Sequence, residues 1–293
     1  AQSVSAWGGE DDETPVYGIV KIAIKPMSGS SLTTQSKSDI IKQLKEYNVA
    51  SVSPVIVDPE ITSIVLTSTA KYDERATTKD SATLKANIIT LLGTYNVSTL
   101  QKFDSMFRHS KVVKLIDDTD NSILSNTTTL KIRKSFTPTL NSSLKYSVFF
   151  RNAVYNPHTS HNSTAGGVVS SSGFKIQGST NEQLLDDDGN GNIRRYYLSG
   201  ATRVYTNPTQ GTIDYTTGEI TINSLQITEI SNIRGSASTV IELTVQPASN
   251  DIVPVRDQIL ELDIPNSTIS VEKDSFVGGS SDAGVGYTTT SAY

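Results

Sequence analysis

The densest run of side chains able to do chemistry is Asp186-Asp187-Asp188-Gly189-Asn190-Gly191-Asn192-Ile193. Counted from Asp186, oxygen ligands stand at positions one, three and five (Asp186, Asp188 and Asn190), with Gly191 at six and Ile193 at eight. A calcium loop begins in this way. Position twelve is Tyr197, where such a loop carries a bidentate glutamate, and both flanks alternate as strands rather than as helices. An Asp/Asn/Gly run between two strands is also a plain hairpin turn. The turn is the expectation, and Asp186, Asp188 and Asn190 are the metal candidates set against it.

Other candidate groups fall to simpler readings. His158 and His161 are three apart on a loop, and the third histidine, His109, lies in a helical region. Two histidines without a third ligand make a poor metal site, so exposed polar side chains are expected. Asp117, Asp118 and Asp120 directly follow a predicted helix and read as a solvated turn rather than as a general acid/base pair. Glu10-Asp11-Asp12-Glu13 reads as a solvated acidic run able to steer a basic partner. No G-x-S-x-G elbow, Walker loop or G-x-G-x-x-G occurs, so neither an enzyme nor a cofactor is expected. Trp7, the single tryptophan, joins Tyr17, Phe103 and Phe107 as aromatic candidates for an interface.

Composition narrows the class further. With 293 residues the chain has room for two or three domains, at about 100–200 residues each. Its hydrophobic fraction is 36%, scattered among Ser, Thr and Asn, which predicts modest cores and a broad polar surface. The 25 Lys plus Arg against 30 Asp plus Glu give a net charge of −5 with no basic block, which argues against nucleic acid as a partner. The absence of cysteine removes disulfides and thiolate chemistry, and suits a reducing compartment. No apolar run reaches the ~18 residues of a membrane span, and no signal peptide is read at the start. No small-molecule substrate is indicated.

The elements that would position these groups follow from periodicity. Ile19 to Lys25 alternates as a strand that Pro26 ends. A helix from Thr34 or Ser38 to Tyr47 places Ile40, Ile41, Leu44 and Tyr47 on one face, with Asn48 as its terminator. Pro54–Pro59 is a short apolar run bounded by prolines, and strand alternation returns over Thr62–Tyr72. A helix capped by Asp80 carries Leu84, Ile88, Leu91, Leu92 and Tyr95, and a shorter one capped by Ser110 carries Val112, Val113 and Ile116. Thr127–Lys134 closes this region as a strand. Beyond Pro138 the helical period gives way to short alternating runs, including a hairpin over Thr212–Ile222 turned at Gly218. The expected fold is α+β. A linker over 1–16 leads into a helices-on-sheet domain of two β-α-β-like units over 17–136. A mainly antiparallel β region follows over 137–246, and then a C-terminal β segment over 247–293. Its tail, from Gly278, is flexible or ordered by a partner. Hinges are expected at Gly8-Gly9 and near Pro138.

The wording of several stretches adds to their pattern. Trp7-Gly8-Gly9-Glu10, then Pro15-Val16-Tyr17-Gly18 through Ile22-Ala23-Ile24-Lys25-Pro26, resembles the core of the baseplate J-like proteins, within them the wedge subunits of T4-type contractile tails. Pro54 to Pro59, Lys71-Tyr72-Asp73, and the stretch from Asn96 to Asp117 with Lys102-Phe103-Asp104 and Phe107-Arg108 continue the likeness over about the first 135 residues. In that family the stretch lies well inside the chain, so a C-terminal portion is expected. The resemblance implies a late structural protein of a bacteriophage virion, assembled in the host cytoplasm into the tail baseplate. It also implies a homodimer that joins other wedge proteins into a ring coupling host attachment to sheath contraction. The alternative is a module using the Asp186 loop and calcium to bind carbohydrate or a surface.

Overall fold

The computed structural model describes residues 1–12, 15–29, 31–47, 52–159 and 167–274. Asn48, His161 and the tail from Gly278 lie outside these residues. The fold is α+β with strands dominant, 45% of residues against 18% in helices.

The chain opens with a small three-stranded sheet in the order β1 (Ser3–Gly8), β2 (Ile19–Lys25), β3 (Ser53–Val57). β1 runs antiparallel to β2, and β3 runs parallel to it after the crossover helix α1 (Thr34–Lys45). A strand therefore lies in the stretch read as linker. Ser3, Ser5 and Trp7 alternate with Val4 and Ala6, a pattern short enough to pass for a polar lead-in. Thr33 caps α1 by accepting from the Ser36 amide, and the helix ends at Lys45, before Tyr47.

The larger body begins with β4 (Glu60–Tyr72), which pairs antiparallel with β5 (Ile123–Phe136). Between them run α2 (Ser81–Tyr95), capped by Asp80 as its sequence predicts, a π turn at Asn96–Leu100, and α3 (His109–Asp117). Because β4 and β5 are antiparallel, this second unit is not a β-α-β crossover. Leu84, Ile88 and Leu92 of α2 and Val112 and Ile116 of α3 are buried, and most of these join Ile64, Leu66 and Ile132 of the sheet in one core. α3 starts one residue before Ser110, because the Asp251 carboxylate accepts from the His109 amide and caps it from a distant segment.

The β region contributes β6 (Ser143–Phe149), β7 (Val169–Ser171), β8 (Phe174–Ile176), β9 (Leu184–Asp187), β10 (Asn192–Ser199), β11 (Thr202–Asp214) and β12 (Glu219–Ile230). A second sheet runs β6-β12-β11-β10-β9, with β8 also on β12. Gly218 turns the β11–β12 hairpin at φ 74°, and a Cβ there would come within 2.4 Å of the Asn152 carbonyl.

β13 (Ile241–Val245) then returns to β5, and β14 (Gln258–Leu262) and β15 (Thr268–Lys273) add parallel to successive halves of β4. The third sheet thus runs β14-β4-β5-β13-β7 with β15 alongside β4, so the last described strands complete the sheet begun at residue 60. Asn96 fastens this closure. Its side chain donates to the Leu262 carbonyl and accepts from the Leu262 amide, as a neighbouring strand would.

Candidate assembly surface

The Asp186 run is a hairpin turn whose acids are already occupied. β9 and β10 pair so that Asp186 stands opposite Arg194. Asp186 accepts from Arg194 Nε at 2.9 Å, Arg203 Nη1 at 2.6 Å and the Tyr205 hydroxyl at 2.9 Å. Arg194 lies over the Tyr205 ring and Arg203 over Tyr196, so each cation is held by an acid and an aromatic face. Asp187, on the opposite side of the strand, accepts from the Tyr215 hydroxyl and the Val169 amide. Burial and that acid push the Tyr215 phenol well above its usual range. Asp188 accepts from the Asn190 and Asn192 amides and from Asn192 Nδ2, closing the turn. Asp186 and Asp188 therefore serve separate networks. Among the described residues no group of three or more His, Cys, Asp or Glu side chains is placed to hold a metal.

A second cluster, around the buried Lys134, joins three parts of the chain. Lys134 donates to Glu60 Oε1 and to the Phe149 carbonyl, each at 2.5 Å, while Arg151 reaches Asp257 at 2.8 Å. Burial lowers the Lys134 pKa, and Glu60 opposes that shift. The cleft above it, about 450 Å³, is bordered by Asp58, Glu60, Lys134, Ser147 and Phe149. Its ammonium is spent on a carboxylate and a carbonyl, which makes it a joint rather than a reactive amine.

The remaining candidates also have structural partners. His109 Nε2 lies 2.9 Å from the Thr128 carbonyl, and His158 Nδ1 lies 3.1 Å from that of Thr159. Asp117 takes Asn126, Asp118 takes Lys114, and Asp120 takes Lys79 and Ser122. Phe107 lies in the main core, and Phe103 packs with Ala23 and Ile259 in a smaller one. Neither phenylalanine offers a surface. Trp7 packs half-buried against that smaller cluster and donates to Asp12 at 3.0 Å. Of the four aromatic candidates only Tyr17 stands free, at 81% exposure.

Exposed apolar groups concentrate around the first sheet. Register puts Val4, Ala6, Val20, Ile22, Ile24, Pro54 and Ile56 on one face, all apolar, and Ser5, Trp7, Lys21, Ala23, Val55 and Val57 on the other. Trp7, Ala23 and Val57 turn towards Phe103 and Ile259 in the larger body. α1 lies against β3, yet none of its residues is buried, and Ile40, Ile41 and Leu44 stay half-covered. Val4 is 54% exposed, and Met27 and Tyr47 reach 80% and 86%. Tyr47, read from its spacing as an inward residue, instead projects beyond the helix end. On the apolar face Ile24 and Pro54 are buried and Val20, Ile22 and Ile56 half-covered, while Val4 and Ala6 stay exposed, so among the described residues the unit leaves part of its apolar surface in water. The sequence signal for it was faint, lying in the Val4/Ala6 alternation and in an α1 stripe too short to bury.

Comparison with known proteins gives this surface a context. Residues 1–57 match the family model described as baseplate structural protein gp6, C-terminal domain I, and residues 61–135 match that of gp6 C-terminal domain III. The gap between the matches falls where β3 ends and β4 begins. A curated relative, baseplate wedge protein gp6 of Enterobacteria phage T4, is 30% identical over 139 residues, 46% of this chain and 21% of the relative. The chain thus spans about a fifth of the length of the relative it matches. Over residues 1–57 and 61–135 the chain is thus similar, in order, to C-terminal domains I and III of the gp6 baseplate structural proteins.

Proposed function

We propose that the chain is a structural part of a tail baseplate wedge, residing in the virion tail baseplate, where it self-associates as a homodimer and joins neighbouring wedge proteins. In this reading it helps form the ring that couples host attachment to sheath contraction, and it works by packing and hinging rather than by catalysis. Residues 17–136 act as the helices-on-sheet part and 137–246 as the β part, with movement taken up near Gly8-Gly9 and Pro138. The observation that carries the reading is the uncovered apolar surface of residues 1–57, within the segment that matches gp6 domain I. Such a surface is what an assembly part presents before its neighbours arrive. The calcium-dependent binding alternative draws no support from a turn whose Asp186 is held by two arginines and a tyrosine. An antibody raised against the chain, followed by gold labelling of intact virions, tests the assignment. Label confined to the baseplate is expected, and label on the head, on the fibres or nowhere would refute it.

A further inference from the structure

One end of the first sheet unit has a charge arrangement that singles out a partner. β1 finishes at Gly8 opposite Val20, β2 begins at Ile19 opposite Ser53, and α1 finishes at Lys45 on its way back to β3. The turn after β1, the start of β2 and the end of α1 therefore lie at the same end of the unit. The Val16 amide donates to the Gly9 carbonyl at 2.9 Å, which sets Val16 and Tyr17 beside Glu10 and Asp11. The Ser53 amide donates to the Gly18 carbonyl at 2.9 Å, which brings Val52 next to Tyr17. Across this end come the carboxylates Glu10 and Asp11 after β1, then the exposed Val16, Tyr17 and Val52 just before β2 and β3, and, at the end of α1, which packs on β3, the exposed Tyr47 with Lys42 and Lys45. Glu46 is the acid beside those lysines. Among the described residues no ion pair engages Glu10, Asp11, Lys42 or Lys45, whereas Asp12 is closed off by Lys21 and Lys37 by Asp58.

We infer that this end is the contact between two copies of the chain. An isologous interface requires a patch that complements itself, so that residue i meets j and j meets i. An apolar and aromatic strip with acid on one flank and base on the other meets that requirement. A two-fold through Tyr17 and Tyr47 sets Glu10 and Asp11 of each copy against Lys42 and Lys45 of its mate, and packs the tyrosines at the centre. Tyrosine at the middle of a patch with a charged rim is the arrangement in which a few side chains carry most of the affinity. The inference rests on the self-association in the proposed function and adds which surface makes it.

Sedimentation equilibrium over a concentration series decides it, on the whole chain and on variants of exposed side chains checked for folding by circular dichroism. The parent chain is expected to dimerise. Tyr17→Ser with Tyr47→Ser should weaken the dimer about 30-fold or more, the scale of losing a hot spot. Glu10→Lys with Asp11→Lys should also dissociate it, as should Lys42→Glu with Lys45→Glu. An equimolar mixture of those two charge-reversed proteins should associate, because each then opposes its complement. A dimer indifferent to all of these changes overturns the inference while leaving homodimerisation standing. A parent chain monomeric at every concentration overturns both.

Discussion

Replacing Asp186 with alanine removes the acceptor at the centre of the β-region network, and its cost follows from the geometry. The Asp186 carboxylate is 1% exposed, Arg194 8% and Arg203 35%. Breaking a buried ion pair by deleting one partner costs about 3–5 kcal/mol, because the other charge stays buried. Arg203 can turn to water, so its share is that of a surface pair, about 0–1 kcal/mol. Arg194 cannot turn out so readily, but it keeps its bond to the Asp187 carbonyl and its place over Tyr205. The lower half of the range, about 3–4 kcal/mol, is therefore expected. At about 2–4 °C per kcal/mol for a body of this size, the β region should melt roughly 6–16 °C earlier by calorimetry. Asp186→Ala combined with Arg194→Met should recover more than half of the loss, since no uncompensated charge then remains. A loss below about 1 kcal/mol, or strict additivity of the two changes, would refute the view that this pair is buried and coupled.

Three further outcomes follow. Asn96→Ala leaves the Leu262 amide and carbonyl without their partner, which should cost about 1–3 kcal/mol in urea unfolding, and an unchanged midpoint would contradict that role. Asp120 is held at about 2, chiefly by the Lys79 hydrogen bond and then by Ser122. A depressed carboxylate stabilises the fold above its unfolded pKa of ~4, and that contribution fades as pH falls towards 2. Asp120→Asn should therefore flatten this part of the acid-stability profile, and an unaltered profile would show that the pair contributes nothing. Millimolar calcium should leave the melting temperature unchanged, since ligand binding to the folded state would raise it, and a rise of several degrees would reopen the metal reading of the Asp186 turn.

How legible the molecule was depends on whether its causes were local. Asp80 caps α2 with its own side chain, and the α2 and α3 stripes bury largely as their spacing directs, because helix caps and faces are set within a few residues. The start of α3 is set by Asp251, more than a hundred residues away, and was read two residues late, with Ser110 rather than Arg108 as its cap. β4 was visible as a strand, but its parallel partners β14 and β15 come from the far end of the chain, and local sequence carries no record of such a partner. In the Asp186 run the turn was legible from its Asp/Asn/Gly composition. The partner of Asp186 was less so, since ligand spacing groups Asp186 with Asp188 and Asn190 while its cross-strand pairing with Arg194 holds the chemistry. The aromatic candidates divided by burial. Phe103 and Phe107 look the same as Tyr17 in sequence, and only packing separates core from surface.

Hydroxyl-radical footprinting of Met27, Tyr17 and Tyr47, in the free chain and in intact virions, tests most directly whether the first sheet unit is an assembly surface. The account predicts fast labelling of all three in the free chain and strong protection of Tyr17 and Tyr47 in the particle. Equal labelling of both tyrosines in the particle and in the free chain would contradict it.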